Sequence, residues 1–142
     1  MYDAVTEEAK NSDIIIKAAA VADYTPLNVS DNKIKKKDGD MSIALKRTKD
    51  IIGTLGEHKK EGQFICGFSM ETENVIANSK DKLIKKNMDM IVANNVKVAG
   101  AGFGTDTNVV IIITGEDNIE LPMMSKEDVA SKILDFIMAK RR

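Results

Sequence analysis

Tryptophan is absent from this 142-residue chain, aromatic side chains make up 4% of it, and there is one cysteine, Cys66, and one histidine, His58. A single cysteine excludes an intrachain disulfide, and one Cys with one His cannot build a Cys/His zinc cage. No stretch approaches the roughly 18 uninterrupted apolar residues that a membrane-spanning helix needs, and runs such as Val109–Ile113 are strand-sized. The first residues, MYDAVTEEAKNSD, are acidic and amphipathic rather than basic and then apolar, which is not a secretory pattern. A cytoplasmic chain is the expectation, with no membrane partner. At 43% hydrophobic and 30% charged, residues 1–142 suit one globular domain with a substantial core.

A formal charge of -1 argues against a generic nucleic-acid binder, but the average conceals a pattern. Residues 33–49 carry Lys33, Lys35, Lys36, Lys37, Lys46, Arg47 and Lys49 against Asp38 and Asp40, a net +5. Residues 80–86 add Lys80, Lys82, Lys85 and Lys86 against Asp81, a net +3, which leaves -9 for the remainder. Two local cationic clusters in an otherwise acidic chain point to a compact anionic ligand more than to a long phosphate backbone. Lysines that are merely solvated are the commoner explanation when charge is considered alone.

The order of elements follows from periodicity. Ala4, Val5 and Ala9 recur at helical spacing, so a helix ends near Asn11-Ser12. DIIIKAAAVA, from Asp13, is too short for a separate helix and rich in Ile, the pattern of a buried parallel strand. Tyr24 to Gly39 has no periodicity and is expected to be a long loop, a feature compact domains keep for a purpose. MSIALKR (41–47) alternates like a strand, and Thr48 is a candidate N-cap for a short helix over 49–57. QFICGF (63–68) is a second buried strand, 71–86 a charged amphipathic helix, and MDMIVAN (88–94) a third strand. NVVIIIT (108–114), the turn GEDN and IEL (119–121) form a hairpin at the far edge. Ser125 and Asp128 resemble a capping box ahead of a last helix with Val129, Ile133, Leu134 and Ile137 on one face. Alternation of this kind specifies an α/β fold: a Rossmann-like three-layer sandwich on a mostly parallel sheet, with a C-terminal antiparallel hairpin.

Ligands of open α/β sheets bind at the carboxyl ends of the strands, so the residues just after each apolar run carry the interest. Small residues at Ala18-Ala19-Ala20 let a flat ligand reach main-chain groups, and Asp23 is able to accept hydrogen bonds from a ribose; tight packing and a turn cap explain them equally well. Gly67 permits close approach, and Phe68 at a strand end is placed to stack on a base, although a core phenylalanine is the commoner case. Lys82 and Lys86 are four apart and share a helix face that suits a polyphosphate. GAGFGT, from Gly100, has the wrong spacing for a dinucleotide loop, and no GxxxxGK[ST] loop occurs. His58 lies in the solvated segment EHKKEG with no nucleophile beside it. Cys66 sits mid-strand as an inert core residue, and the eight methionines read as core filling.

The ordered set AAAVADYTP, KIKK ten residues after Asp23, LKRTKDII, GFSMET and KKNMDMIVAN closely resembles the phosphopantothenoylcysteine synthetase domain. That domain is the carboxy-terminal half of the bacterial bifunctional coenzyme A flavoprotein. The likeness runs from Met1 to the last helix, and the motifs in this order are far more specific than any one alone. It implies a ligase that joins 4′-phosphopantothenate to cysteine. The substrate carboxylate attacks the α-phosphate of CTP and pyrophosphate leaves; the cysteine amine then displaces CMP from the acyl-cytidylate. Fixed cations and Mg2+ would meet the negative charge that builds on the phosphorus.

Carried over residue by residue, the resemblance places main-chain groups of Lys17, Ala18 and Ala19 along the cytidine and Asp23 on the nucleoside. Lys33 would contact the nucleotide and stabilise the acyl-cytidylate, as the catalytic residue, with Lys35, Lys36 and Lys37 in a mobile flap. Lys49, Asp50, Ile51 and Ile52 match a nucleotide-contacting stretch, with Lys49 where the family often has Pro. Phe68 would lie against the nucleotide, and Lys82 and Lys86 would hold the triphosphate. No protein metal ligand is implied. FMN belongs to the fused decarboxylase half and is not expected here, and a homodimer is.

The glycine-rich first strand–turn–helix of the family, and an Asn important for the acyl-cytidylate step, would precede Met1. The expectation is a chain that binds CTP weakly and completes synthesis poorly. Two alternatives compete. One is a non-catalytic nucleotide-binding module of the same fold. The other is a flavodoxin-like redox domain, which would want a Ser/Thr-rich phosphate turn that KAAAVADY does not supply. The choice of CTP over ATP rests on the resemblance.

Overall fold

The computed structural model describes residues 1–36, 38–71, 73–95 and 104–141. Its elements in chain order are α1 (Tyr2–Glu8, extended by a 3-10 turn at Ala9–Asn11), β1 (Ile14–Lys17), β2 (Tyr24–Pro26), β3 (Leu45–Arg47), α2 (Ile51–Glu57), β4 (Phe64–Met70), α3 (Val75–Lys85), β5 (Met90–Asn94), β6 (Thr107–Ile113), β7 (Asn118–Ser125) and α4 (Lys126–Lys140). They fall into two units: Met1–Ala19 with Ile51–Arg142, and Ala20–Asp50 between them.

The larger unit is an α/β layer structure on a five-stranded sheet of order β1-β4-β5-β6-β7. β1, β4 and β5 are parallel, and β6 and β7 are added antiparallel. The central strands β4, β5 and β6 are buried over most of their length, which is why they read as apolar runs, whereas the edge strands β1 and β7 are partly exposed. One face places Phe64, Cys66, Met90, Val92, Val110 and Ile112 against Val129, Ile133 and Ile137 of α4. Those three α4 positions recur every four residues, the spacing of one helix face. On the other face Ala93, Ile111 and Ile113 pack with Val75 of α3. The forward half of the expected capping box is present: Ser125 Oγ accepts from the Asp128 N–H at 3.0 Å, while the Asp128 carboxylate accepts from the Ser125 hydroxyl at 2.7 Å instead of from the Ser125 N–H.

Glycine fixes how α2 lies on this unit. A Cβ on Gly67 would stand 2.8 Å from both Ile52 Cδ1 and Met88 Sδ, so the room at Gly67 is filled by packing rather than kept for a ligand. A Cβ on Gly56 would overlap the carbonyl oxygen of Lys86. Asn87, at φ 48, leads the chain out of α3 and donates from Nδ2 to the Gly56 carbonyl at 2.9 Å.

In the smaller unit, β2 and β3 pair antiparallel, with Tyr24 opposite Arg47 and Pro26 opposite Leu45. The segment 24–39 is therefore not all loop, because its first three residues are a strand. The strand expected over 41–47 is confined to Leu45–Arg47, and all three of its residues are exposed, so its alternation marks no buried face. Thr48 closes this ribbon: its N–H donates to the Asp23 carbonyl at 2.9 Å and its hydroxyl to the Ala22 carbonyl at 2.7 Å. That hydroxyl serves the ribbon, where the sequence pointed to a cap on α2.

Other boundaries moved as well. The strand expected over 13–22 ends at Lys17, where its pairing stops at Gly67 although β4 itself runs on to Met70. β7 runs on to Ser125, past Pro122, through a shift in register that sets Val110 opposite Leu121 but Asn108 opposite Met124. An edge strand with an irregularity is where a residue lacking an N–H is tolerated.

Candidate site at the carboxyl ends of the parallel strands

In the larger unit, β1 and β4 run side by side with Lys17 opposite Gly67. This register sets the chain leaving β1, Ala18 and Ala19, beside Phe68 on β4. Lys17 is half-buried and its Nζ donates to the Ala19 carbonyl at 3.1 Å, while Ala18 and Ala19 are exposed. Phe68 is half-buried and continues the stripe of Phe64 and Cys66, packed against the α4-facing core. Core packing and an exposed edge thus coexist in one ring. β5 ends level with β4, Asn94 opposite Met70, and its Oδ1 accepts from Asn108 Nδ2 at 2.9 Å.

Ile51, the first residue of α2, is 3% exposed, so its side chain belongs to the core and only its main chain is left for a ligand. Ile52 lies against Gly67. Neither side chain is arranged to touch a nucleotide, which leaves the resemblance at these positions to backbone groups.

The two lysines of α3 differ. Lys82 lies in the last turn and forms an ion pair with Glu71, the residue that follows β4. Lys86 is the C-cap, four residues before β5, and its carbonyl is the one pressed on Gly56. α3 returns from the carboxyl end of β4 to the amino end of β5, so the Lys86 backbone stands at the amino end of the sheet. The fold brings together Lys17, Ala18, Ala19, Phe68 and the Glu71–Lys82 pair at the carboxyl ends, with the Lys86 backbone at the opposite end.

Asp23, Lys33, Lys49 and Asp50 lie in the smaller unit and all four are exposed, as are Lys35 and Lys36. Asp23 offers its main-chain carbonyl to Thr48. Lys37, Thr72 of GFSMET and most of GAGFGT lie outside the described residues.

Two cavities of the larger unit lie away from these strand ends. One of about 390 Å³ lies between α1 and α2, lined by Tyr2, Thr6, Thr54, Leu55, His58 and Gln63 among others. A polar one of about 580 Å³ lies by Lys59, Asp89, Lys140 and Arg141. Neither contains a residue singled out for nucleotide. Cys66 is fully buried and its thiol is pushed up to about 12, by burial first and then by the charge of Asp89, the environment of an inert cysteine. Among the described residues no group of three or more His, Cys, Asp or Glu side chains could hold a metal ion, and no helix is long and apolar enough to cross a membrane.

The sequence missed Glu71 and Asn94. Glu71 contacts a lysine eleven residues away, a separation no helical spacing rule covers. Asn94 could have been found as the polar residue ending an apolar strand at the ligand-binding end of the sheet.

A model of the DNA/pantothenate metabolism flavoprotein C-terminal domain matches residues 1–140. The coenzyme A biosynthesis bifunctional protein CoaBC of Bacillus subtilis (strain 168) is 52% identical over 140 residues, which are 98% of this chain and 34% of that protein. The crystal structure of the C-terminal domain of a CoaBC protein superposes with a TM-score of 0.77 at 42% identity, covering 98% of this chain and 62% of that one. A Cab2 mutant shares the fold, with a TM-score of 0.68 at 20% identity over 94% of this chain and 46% of its own. The chain spans about a third of the length of the curated relatives it matches.

Proposed function

Since this chain belongs to the DNA/pantothenate metabolism flavoprotein C-terminal domain family, we propose that it carries the CTP-binding part of a phosphopantothenate–cysteine ligase of coenzyme A biosynthesis. The observation that supports this reading is the placement of Lys17 opposite Gly67, next to Phe68, and of the Lys82 ammonium on Glu71, the residue after β4, all at the carboxyl ends of neighbouring parallel strands. It is the end of an open α/β sheet that receives ligands. The relatives support the setting: the B. subtilis protein is named for coenzyme A biosynthesis, and the Cab2 mutant was solved in complex with phosphopantothenate-cysteine.

In this reading the main chain at Lys17–Ala19 reads the cytosine edge, Phe68 covers the base, and Lys82 neutralises phosphate charge. Asp23, Lys33, Lys49 and Asp50 are assigned to the same nucleotide by their motifs, with Lys33 stabilising the acyl-cytidylate. The carboxylate oxygen of phosphopantothenate bonds to the α-phosphorus as pyrophosphate departs; the cysteine nitrogen then bonds to the acyl carbon as CMP departs. Positioning and fixed positive charge supply the catalysis. In this reading Mg2+ accompanies the phosphates of CTP and offsets their charge. The reading further proposes a cytoplasmic protein that forms a homodimer, to be checked by sedimentation across a concentration series. A mass that stays at one chain would count against the dimer.

The test is calorimetric titration of the chain with CTP and, separately, ATP in magnesium, beside a Lys82→Ala/Lys86→Ala variant. Saturable CTP binding, weaker for ATP and lost in the variant, is the expected result. Binding that is indifferent to the base, or to both lysines, would overturn the assignment.

A further inference from the structure

Lys82 is awkwardly placed for a phosphate ligand. Its backbone lies seven residues beyond Val75 on a helix that runs away from the strand carboxyl ends, a descent of about 10 Å. Long helical side chains lean toward the helix N-terminus, so the ammonium is able to climb back toward β4 but is not obliged to. Glu71 supplies the obligation. It directly follows β4, its side chain is 16% exposed, and its Oε1 accepts from Lys82 Nζ. Lys82 keeps a side-chain exposure of 50%, and an ammonium has three N–H donors, so the pair leaves donor capacity facing solvent.

We infer that Glu71 is a positioning residue for the anion site: its carboxylate holds the Lys82 ammonium at the carboxyl end of β4, where phosphates of the nucleotide are received. The inference rests on the CTP-binding reading above and adds to it the group that aims one of its cations. A partly exposed ion pair of this kind contributes little to stability. Its geometry, which spans a strand end and the last turn of a helix, instead fixes where a charge stands. Without the carboxylate the lysine spreads over its rotamers and must be ordered again each time an anion binds, which costs affinity.

The experiment is a double-mutant cycle on the full chain with Glu71→Gln, Lys82→Met and the double variant, titrated with CTP, CMP and inorganic triphosphate, with magnesium and with chelator. Glu71→Gln is expected to weaken CTP and triphosphate about fivefold to tenfold, to leave CMP within twofold, and to add nothing once Lys82→Met is present. Thermal unfolding of Glu71→Gln should match the parent. The inference is overturned by CTP binding that is unchanged or tighter in Glu71→Gln, or by equal losses for CMP and CTP. A loss that persists in the Lys82→Met background, or appears only with magnesium, overturns it as well. If the parent chain binds no CTP, the functional reading falls with it; if the parent binds and Glu71→Gln does not differ, only the positioning role falls.

Discussion

Gly56 of α2 lies directly against the main-chain carbonyl of Lys86, the C-cap of α3, with no room for a Cβ between them. The Asn87 side chain closes the contact by donating to the Gly56 carbonyl. The neighbour is backbone at a helix end, fixed by its own hydrogen bonds, and cannot swing aside as a flexible side chain would. Gly56→Ala is therefore expected to destabilise the fold by about 3 kcal/mol, at the upper end of ordinary overpacking. Urea unfolding checks it; an unchanged midpoint would show that the two helices slide apart at little cost.

Asp89 joins two jobs just before β5. Its Oδ2 accepts from the Ile65 N–H at 2.7 Å, and its Oδ1 pairs with Lys59 at 2.6 Å. Lys59 is 16% exposed at the side chain, so losing its partner leaves a poorly solvated charge. Asp89→Asn should cost about 1–3 kcal/mol. Adding Lys59→Met should recover part of the loss, because the stranded charge is then gone. A chemical-denaturation series on the two single variants and the double one separates these contributions.

The Cys66 thiol, pushed up from 9.0 to about 12 in the folded chain, carries its proton where an unfolded thiol has lost it. Below pH 9 both states are protonated and the thiol is silent. Between pH 9 and 12 the unfolded state alone ionises, so stability falls with rising pH, by up to about 1.4 kcal/mol per unit. Unfolding free energies of the parent and Cys66→Ala, measured across that interval, should diverge in slope, with the parent the steeper. Parallel slopes would refute the shift. At pH 8 the native thiol should also resist alkylation until the chain is unfolded.

Ser125 holds the first turn of α4 through the Asp128 N–H. Ser125→Ala should cost about 1 kcal/mol by leaving that donor without its cap. Thermal unfolding reads the change, and Ser125→Thr, whose hydroxyl can accept from the Asp128 N–H and donate to its carboxylate, should restore most of it.

What the sequence made legible follows from what leaves a periodic trace. Ile65, Cys66, Val92 and Ile112 are buried on one sheet face or the other, so their strands stood out as apolar runs in the right order. Val129, Ile133 and Ile137 marked α4 by their spacing. In the β2–β3 ribbon, β3 fell inside the alternating run 41–47, but the three residues of β2 left no such trace, because a short pairing made by main-chain hydrogen bonds among mostly exposed residues needs no apolar pattern. Gly67 was read as room for a ligand; Ile52 and Met88 fill that room, and a one-dimensional string does not say which neighbour arrives. The site followed the same rule. Phe68, Ala18 and Ala19 stood out because they end or follow apolar runs, and Lys17 came with the family resemblance, whereas the Glu71–Lys82 pair depends on the path the chain takes between β4 and the end of α3.

The order β1-β4-β5-β6-β7 also sets a timetable for folding. β5, β6, β7 and α4 meet through the shorter connections, whereas β1 reaches β4 only after the whole chain from Ala18 to Gln63 has been looped out. Closing that loop costs entropy before any contact repays it. The nucleus is expected around Val92, Ile112 and Ile133, with β1 docking after the rate-limiting barrier. In stopped-flow refolding, Ile14→Ala should speed unfolding and scarcely slow folding, and Ile112→Val should slow folding. The strand that begins the candidate nucleotide surface is then the last to be clasped, so the binding surface matures only when the rest of the sheet already stands.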